Sequence, residues 1–60
     1  MTFRELEKII KQDGWRHKNT VGSHYHYIHD TKPGKVTIPK HGGDVNPKVL
    51  SSVLKQAGLK

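Results

Sequence analysis

The stretch Gly22-Ser23-His24-Tyr25-His26-Tyr27-Ile28-His29 places three histidines and two tyrosines in six consecutive positions, directly after a Gly-Ser turn. Aromatic and β-branched side chains suit a pleated, half-buried surface, so His24 to His29 is read as a strand. Side chains alternate along a strand: Tyr25, Tyr27 and His29 point one way, and His24, His26 and Ile28 the other. Two aromatics outweigh one isoleucine, so the tyrosine face is assigned to the core and His24 and His26 to the opposite, open face. Everything then depends on register, because a slip of one residue exchanges the two faces.

The flanking residues supply the other elements. Upstream, Thr2-Phe3-Arg4-Glu5 has the form of a capping box. Phe3, Leu6, Ile9 and Ile10 recur at helical spacing, and Glu7 and Lys11 form an i,i+4 pair on the other side. The first helix is therefore placed at about Thr2 to Asp13, with Gly14 as its left-handed stop. Trp15 to Asn19 is read as a first strand beginning with a large apolar anchor, and Thr20-Val21-Gly22-Ser23 as the turn after it. Downstream, Asp30-Thr31-Lys32-Pro33-Gly34 is dense in turn formers. Lys35-Val36-Thr37-Ile38 alternates and is β-branched, a third strand closed by Pro39.

A glycine-rich loop from Lys40 to Val45 leads to Asn46 as N-cap and Pro47 at the first helical position. Val49, Leu50, Val53, Leu54 and Ala57 mark the apolar face of the second helix, and Gly58 stops it. Tight turns between three strands imply an antiparallel meander. The fold class is α+β: a two-layer helix-strand-strand-strand-helix with a three-stranded antiparallel sheet and both helices on one face. Residues 1–60 are expected to form a single domain without repeat, linker or low-complexity segment.

Sixty residues lie near the lower end of what folds alone. Eleven Lys and Arg face five Asp and Glu, a net charge of +6, which makes polyphosphates the first candidate partners and an acidic protein the second. Without cysteine there is no disulfide framework and no thiolate nucleophile. No apolar run approaches the ~18 residues of a membrane span, and Met1-Thr2-Phe3-Arg4-Glu5 lacks the apolar core of a signal peptide. A cytoplasmic protein with no membrane partner is expected.

Three uses of the histidines compete. His24 and His26 share a face, and His17 on the neighbouring strand is a third candidate metal ligand, but zinc sites usually add thiolates or carboxylates and no acid lies in the strand. His29 and His17 suit a purely structural role as hydrogen-bonded polar residues. The third use is general acid–base chemistry on RNA. Attack by a 2′-hydroxyl needs a base for that proton, an acid for the departing 5′-oxygen, and cations for the phosphorane charge. Imidazole, with an unperturbed pKa of ~6.5, suits the first two roles, and Lys or Arg the third. No metal and no cofactor is called for.

Gly22-Ser23-His24 in a strand, then Val36-Thr37-Ile38-Pro39-Lys40-His41-Gly42-Gly43, then Asn46-Pro47 to Leu50, resembles the HicA toxin family. Val53-Leu54-Lys55-Gln56-Ala57-Gly58-Leu59 continues the likeness, and Gly14-Trp15 after the first helix fits it. The order and spacing of these motifs together, rather than any one of them, make the resemblance specific. It implies a double-stranded-RNA-binding-domain-like fold, an mRNA interferase, and the toxin of a toxin–antitoxin pair with a HicB-type antitoxin as protein partner. It implies that His24 is catalytic and that Gly22, with Ser23, shapes the turn presenting it. No catalytic role carries over to His26, which is grouped with the candidate RNA contacts Arg16, Lys18, Lys32 and Lys35. His41 is expected to order the loop into the second helix, whose N-terminus offers backbone amides to a phosphate. The competing expectation is a non-catalytic RNA-binding module of the same fold.

Overall fold

Helix α1 spans Phe3–Gln12 and starts where the capping box places it. The Thr2 hydroxyl accepts from the Glu5 backbone N–H, and the Glu5 carboxylate accepts from the Thr2 backbone N–H at 2.9 Å. These hydrogen bonds, the backbone one foremost, hold the Glu5 carboxyl below its ordinary range. The helix ends in a Schellman motif: the Gly14 N–H donates to the Lys11 carbonyl and the Trp15 N–H to the Ile10 carbonyl, with Gly14 at φ +105°. The computed structural model describes all residues, 1–60.

That motif moves the start of the first strand. Trp15 still serves the helix end, so β1 begins one residue later than its sequence suggests, at Arg16, and runs to Val21. The expected four-residue turn shrinks to Gly22-Ser23, with Thr20 and Val21 paired to β2, which spans His24–Ile28. Gly22 has φ +59° and Ser23 is not left-handed, the pattern of a two-residue type II′ hairpin. His29 leaves the strand because its imidazole is bound to the loop that follows. The third strand, β3, covers Val36–Pro39, starting after Lys35 and including the proline. Sheet order is β1-β2-β3, antiparallel throughout, so Pro39 lies at the end of an edge strand, where a missing N–H is tolerated.

Helix α2, Pro47–Gln56, opens with the Asn46 side chain accepting from the Lys48 N–H and closes in a second Schellman motif at Gly58. Gln56 also reaches the free side of β3, accepting from the Thr37 N–H at 3.0 Å.

Register assigns the two faces as the tyrosines suggested. His17, Thr20, Tyr25, Tyr27, Val36 and Ile38 face the helices, while Arg16, Asn19, Val21, His24, His26, Ile28, Thr37 and Pro39 face away. The core consists of Leu6, Ile10, Trp15, Tyr27, Val36, Ile38, Val53 and Ala57, all buried. Phe3 extends it by meeting Tyr25 edge to face, with ring centroids 4.9 Å apart. No helix is long and apolar enough to cross a membrane.

Candidate active site

His24 stands at the first position of β2, exposed, directly after the hairpin turn. Two features fix it there. The positive φ of Gly22 closes the hairpin in two residues, and the Lys40 N–H donates to the Ser23 carbonyl at 2.7 Å, extending the β2–β3 ladder past the strand end. His24 is paired across the sheet with Val21 on one side and Pro39 on the other. Neither neighbour carries charge or a side-chain hydrogen-bonding group, so the imidazole remains available to a ligand.

His26 follows on the same face, half-buried, with Nδ1 2.9 Å from the Thr37 hydroxyl. It lines a shallow depression of about 450 Å³ together with Lys18, Asn19, Ile28, Gly34 and Lys35. The β1–β2 pairing is irregular between His17 and Asn19, so Lys18 sits at a bulge. A bulge re-aims the strand locally: alternation from Arg16 already puts Lys18 on the open face, and the bulge turns Asn19 onto that face as well, so that both line the depression. Two cations and no carboxylate line this hollow, an arrangement suited to a phosphate-bearing ligand.

The other candidate contacts are placed differently. Arg16 is on the open face, with its guanidinium 2.6 Å from the exposed Asp30 carboxylate; such an exposed pair contributes little and can open to a phosphate. Lys32 is not in the depression. Its ammonium donates to the Asp13 carboxylate at 2.5 Å and to the Ala57 carbonyl at 3.0 Å, so it ties the ends of α1 and α2 to the β2–β3 loop. This hydrogen bond chiefly holds the Asp13 carboxyl below its ordinary range.

The remaining histidines have other surroundings. His29 Nε2 donates to the Asp13 carbonyl at 2.6 Å, while Nδ1 accepts from the Thr31 and Lys32 N–H groups at 3.0 and 3.1 Å. Those three bonds specify one neutral tautomer, and the ring also packs edge-on against Trp15 at 5.1 Å. His17 lies on the helix side, 5.3 Å from the Tyr25 ring and 5.6 Å from the Tyr27 ring, with Nε2 2.7 Å from the Thr20 hydroxyl. It is therefore separated by the sheet from His24 and His26. His41 lines a small recess of about 90 Å³ between Phe3 and the start of α2. No three His, Asp or Glu side chains converge in an arrangement that could hold a metal ion.

The tyrosine face carries a polar bond of its own. The Tyr27 hydroxyl donates to the Glu7 carboxylate at 2.5 Å, and burial, then that bond, pushes the phenol upward in pKa. Two site neighbours escaped the sequence reading, Thr37 and Asn19. Both are cross-strand partners of His26, and only the register, including the bulge, reveals them.

A family model described as "HicA toxin of bacterial toxin-antitoxin" matches residues 3–59. No curated protein matches the chain.

Proposed function

This chain belongs to the HicA toxin family of bacterial toxin–antitoxin systems, and from that premise we propose that it is an endoribonuclease acting on mRNA in the cytoplasm. His24 is its acid–base residue. The observation that carries the reading is the position of His24 on an uncovered sheet face, two residues along that face from His26, which lines a depression with two lysines.

In this reading the RNA backbone crosses the open face. Lys18 and Lys35, with His26 and Arg16 beside them, contact phosphates. His24 moves a proton to or from the reacting 2′-hydroxyl or 5′-oxygen. The ribose supplies the nucleophile and the products are a 2′,3′-cyclic phosphate and a 5′-hydroxyl, so neither a covalent enzyme intermediate nor a metal is needed. Imidazole general acid–base catalysis supplies about 10²–10⁴-fold, and lysines facing the phosphorane add electrostatic stabilisation. Gly22 and Ser23 contribute by holding the turn.

The protein partner is a HicB-type antitoxin. A net charge of +6 favours an acidic binder, and one that covers the open face blocks the RNA path. Its binding to the folded toxin alone raises apparent stability by mass action.

Induction of wild type and His24→Ala in cells, followed by mapping of mRNA ends, tests the reading. New ends and growth arrest with the wild type, both absent with His24→Ala, are expected. Purified protein should cleave RNA in the presence of a chelator. Salt-sensitive RNA binding without any cleavage product would overturn the proposal in favour of a non-catalytic RNA-binding module.

A further inference from the structure

We infer that His26 is the second proton-transfer residue of the cleavage reaction, paired with His24 and oriented by Thr37. The inference rests on the endoribonuclease reading and deepens it. Attack of a 2′-hydroxyl on phosphorus forms the 2′-oxygen–phosphorus bond and breaks the 5′-oxygen–phosphorus bond. One proton leaves the 2′-oxygen and one arrives on the 5′-oxygen. Entering and departing oxygens lie on opposite sides of phosphorus, so fast cleavage calls for two proton-transfer groups held apart, each within about 3 Å of its oxygen. The base ends protonated and the acid deprotonated, and water restores both.

Of five histidines, only one can partner His24 in this way. His17 is on the opposite face, bound to Thr20. His29 is held by three hydrogen bonds beneath Trp15. His41 lines the recess between α1 and α2. His26 shares the face of His24 two residues along β2, a separation of about 7 Å at the rise of an antiparallel strand. That gap leaves room for a phosphate between two imidazoles each at hydrogen-bond distance from one of its oxygens.

The surroundings of His26 suit a group that gains and loses a proton. A threonine hydroxyl can accept from a protonated Nδ1. With Nδ1–H donating to Thr37 across the 2.9 Å contact, Nε2 is the nitrogen left to gain and lose the proton, and the bond persists in both protonation states. The charged groups facing His26 are Lys18 from β1 and Lys35 from the β2–β3 loop, beside the uncharged Asn19 and Thr37. Both cations are placed to hold the phosphate against the ring.

The test is single-turnover cleavage of a short single-stranded RNA by wild type, His26→Gln, Thr37→Val and Thr37→Ser, with folding of each verified by its urea midpoint. His26→Gln should lose about 10²–10⁴-fold in the cleavage step. Its affinity for the same RNA with a 2′-O-methyl group at the cleaved position should fall far less than its cleavage rate. The two-limbed pH–rate profile of the wild type should keep one limb only. Thr37→Val, which loses the orienting hydroxyl, should fall roughly ten- to hundredfold, and Thr37→Ser should restore the rate.

A substrate with sulfur in place of the departing 5′-oxygen needs no proton on its leaving group. If it rescues His26→Gln, His26 serves the 5′-oxygen; if it rescues His24→Ala, His26 serves the 2′-hydroxyl. Rescue of neither overturns the pairing. So does a His26→Gln protein that cleaves like wild type, or whose loss lies wholly in affinity with both pH limbs intact. An inactive wild type is a different result: it removes the endoribonuclease reading itself.

Discussion

Replacing Gly14 with alanine adds one methyl group at a place where two independent costs coincide. Gly14 has φ +105°, and a Cβ built on it lies 2.7 Å from His29 Nε2 and 3.3 Å from both ring carbons bonded to that nitrogen. Left-handed backbone costs an L-residue about 1–2 kcal/mol. The methyl cannot be accommodated by a swing of the imidazole, because the ring is held by Asp13, Thr31 and Lys32. Pushing it aside breaks the bond to the Asp13 carbonyl, about 1 kcal/mol, and the edge contact with Trp15, about 0.5–1 kcal/mol beyond its buried area. The sum is roughly 2.5–4 kcal/mol, most of the ~3–5 kcal/mol that so small a core supplies.

Gly22→Ala is the control, since Gly22 also has positive φ, +59°, but nothing lies within 4 Å of its Cβ position. It should lose the backbone part alone. Urea unfolding by tryptophan fluorescence, run in trimethylamine N-oxide so that weak variants start folded, measures both. In a His29→Ala background the steric part disappears, so Gly14→Ala should again cost about 1–2 kcal/mol, a coupling of roughly 2 kcal/mol between the two sites. Equal costs for Gly14→Ala and Gly22→Ala, with no coupling to His29, would refute the reasoning.

Asp13 is held below its ordinary carboxyl value of 3.8, chiefly by Lys32. Its stabilisation is therefore present above that value and lost as pH falls through the lower folded one. Asp13→Asn should lower the urea midpoint at neutral pH and flatten its decline between about pH 5 and pH 2. Tyr27 is shifted the other way, above its ordinary value of 10.0, so its contribution persists to about pH 10 and fades as the solution becomes more alkaline. Tyr27→Phe should lose about 1–2 kcal/mol at neutral pH, for want of the bond to Glu7, and show a shallower alkaline decline in thermal scans. Lys35→Ala should lower the slope of log affinity for single-stranded RNA against log salt by about 0.7. Lys32→Met should leave that slope unchanged and reduce the unfolding midpoint, because its ammonium is bound to Asp13 and Ala57.

Much of the fold could be read from the chain because its signals act over a few residues. Thr2 with Glu5, Gly14, Gly58 and Asn46-Pro47 mark helix ends through hydrogen bonds to backbone groups within one turn. The alternation of Tyr25 and Tyr27 with His24 and His26 assigns the two faces of β2 by simple geometry. Less legible were the limits of β1, where Trp15 is claimed by the end of α1 and Thr20 and Val21 by the hairpin. Lys32 was equally opaque: beside a Pro-Gly turn it reads as a free cation, and its partners are 19 and 25 residues away.

The sequence by itself determined the order of elements, their caps, the buried tyrosine face and the candidate status of His24, since each depends on local spacing and side-chain chemistry. Tertiary structure alone decided which residues share a site with that histidine. The β1 bulge brings Asn19 to the depression beside Lys18, and pairing with β3 sets Thr37 against His26. The same packing takes His29, Lys32 and Trp15 into a network between the two helix ends. The reason is physical: register and bulge position arise from the combined burial of Tyr27, Val36 and Ile38 against both helices. No single segment contains that information, because each strand's register becomes definite only when the core it faces has formed.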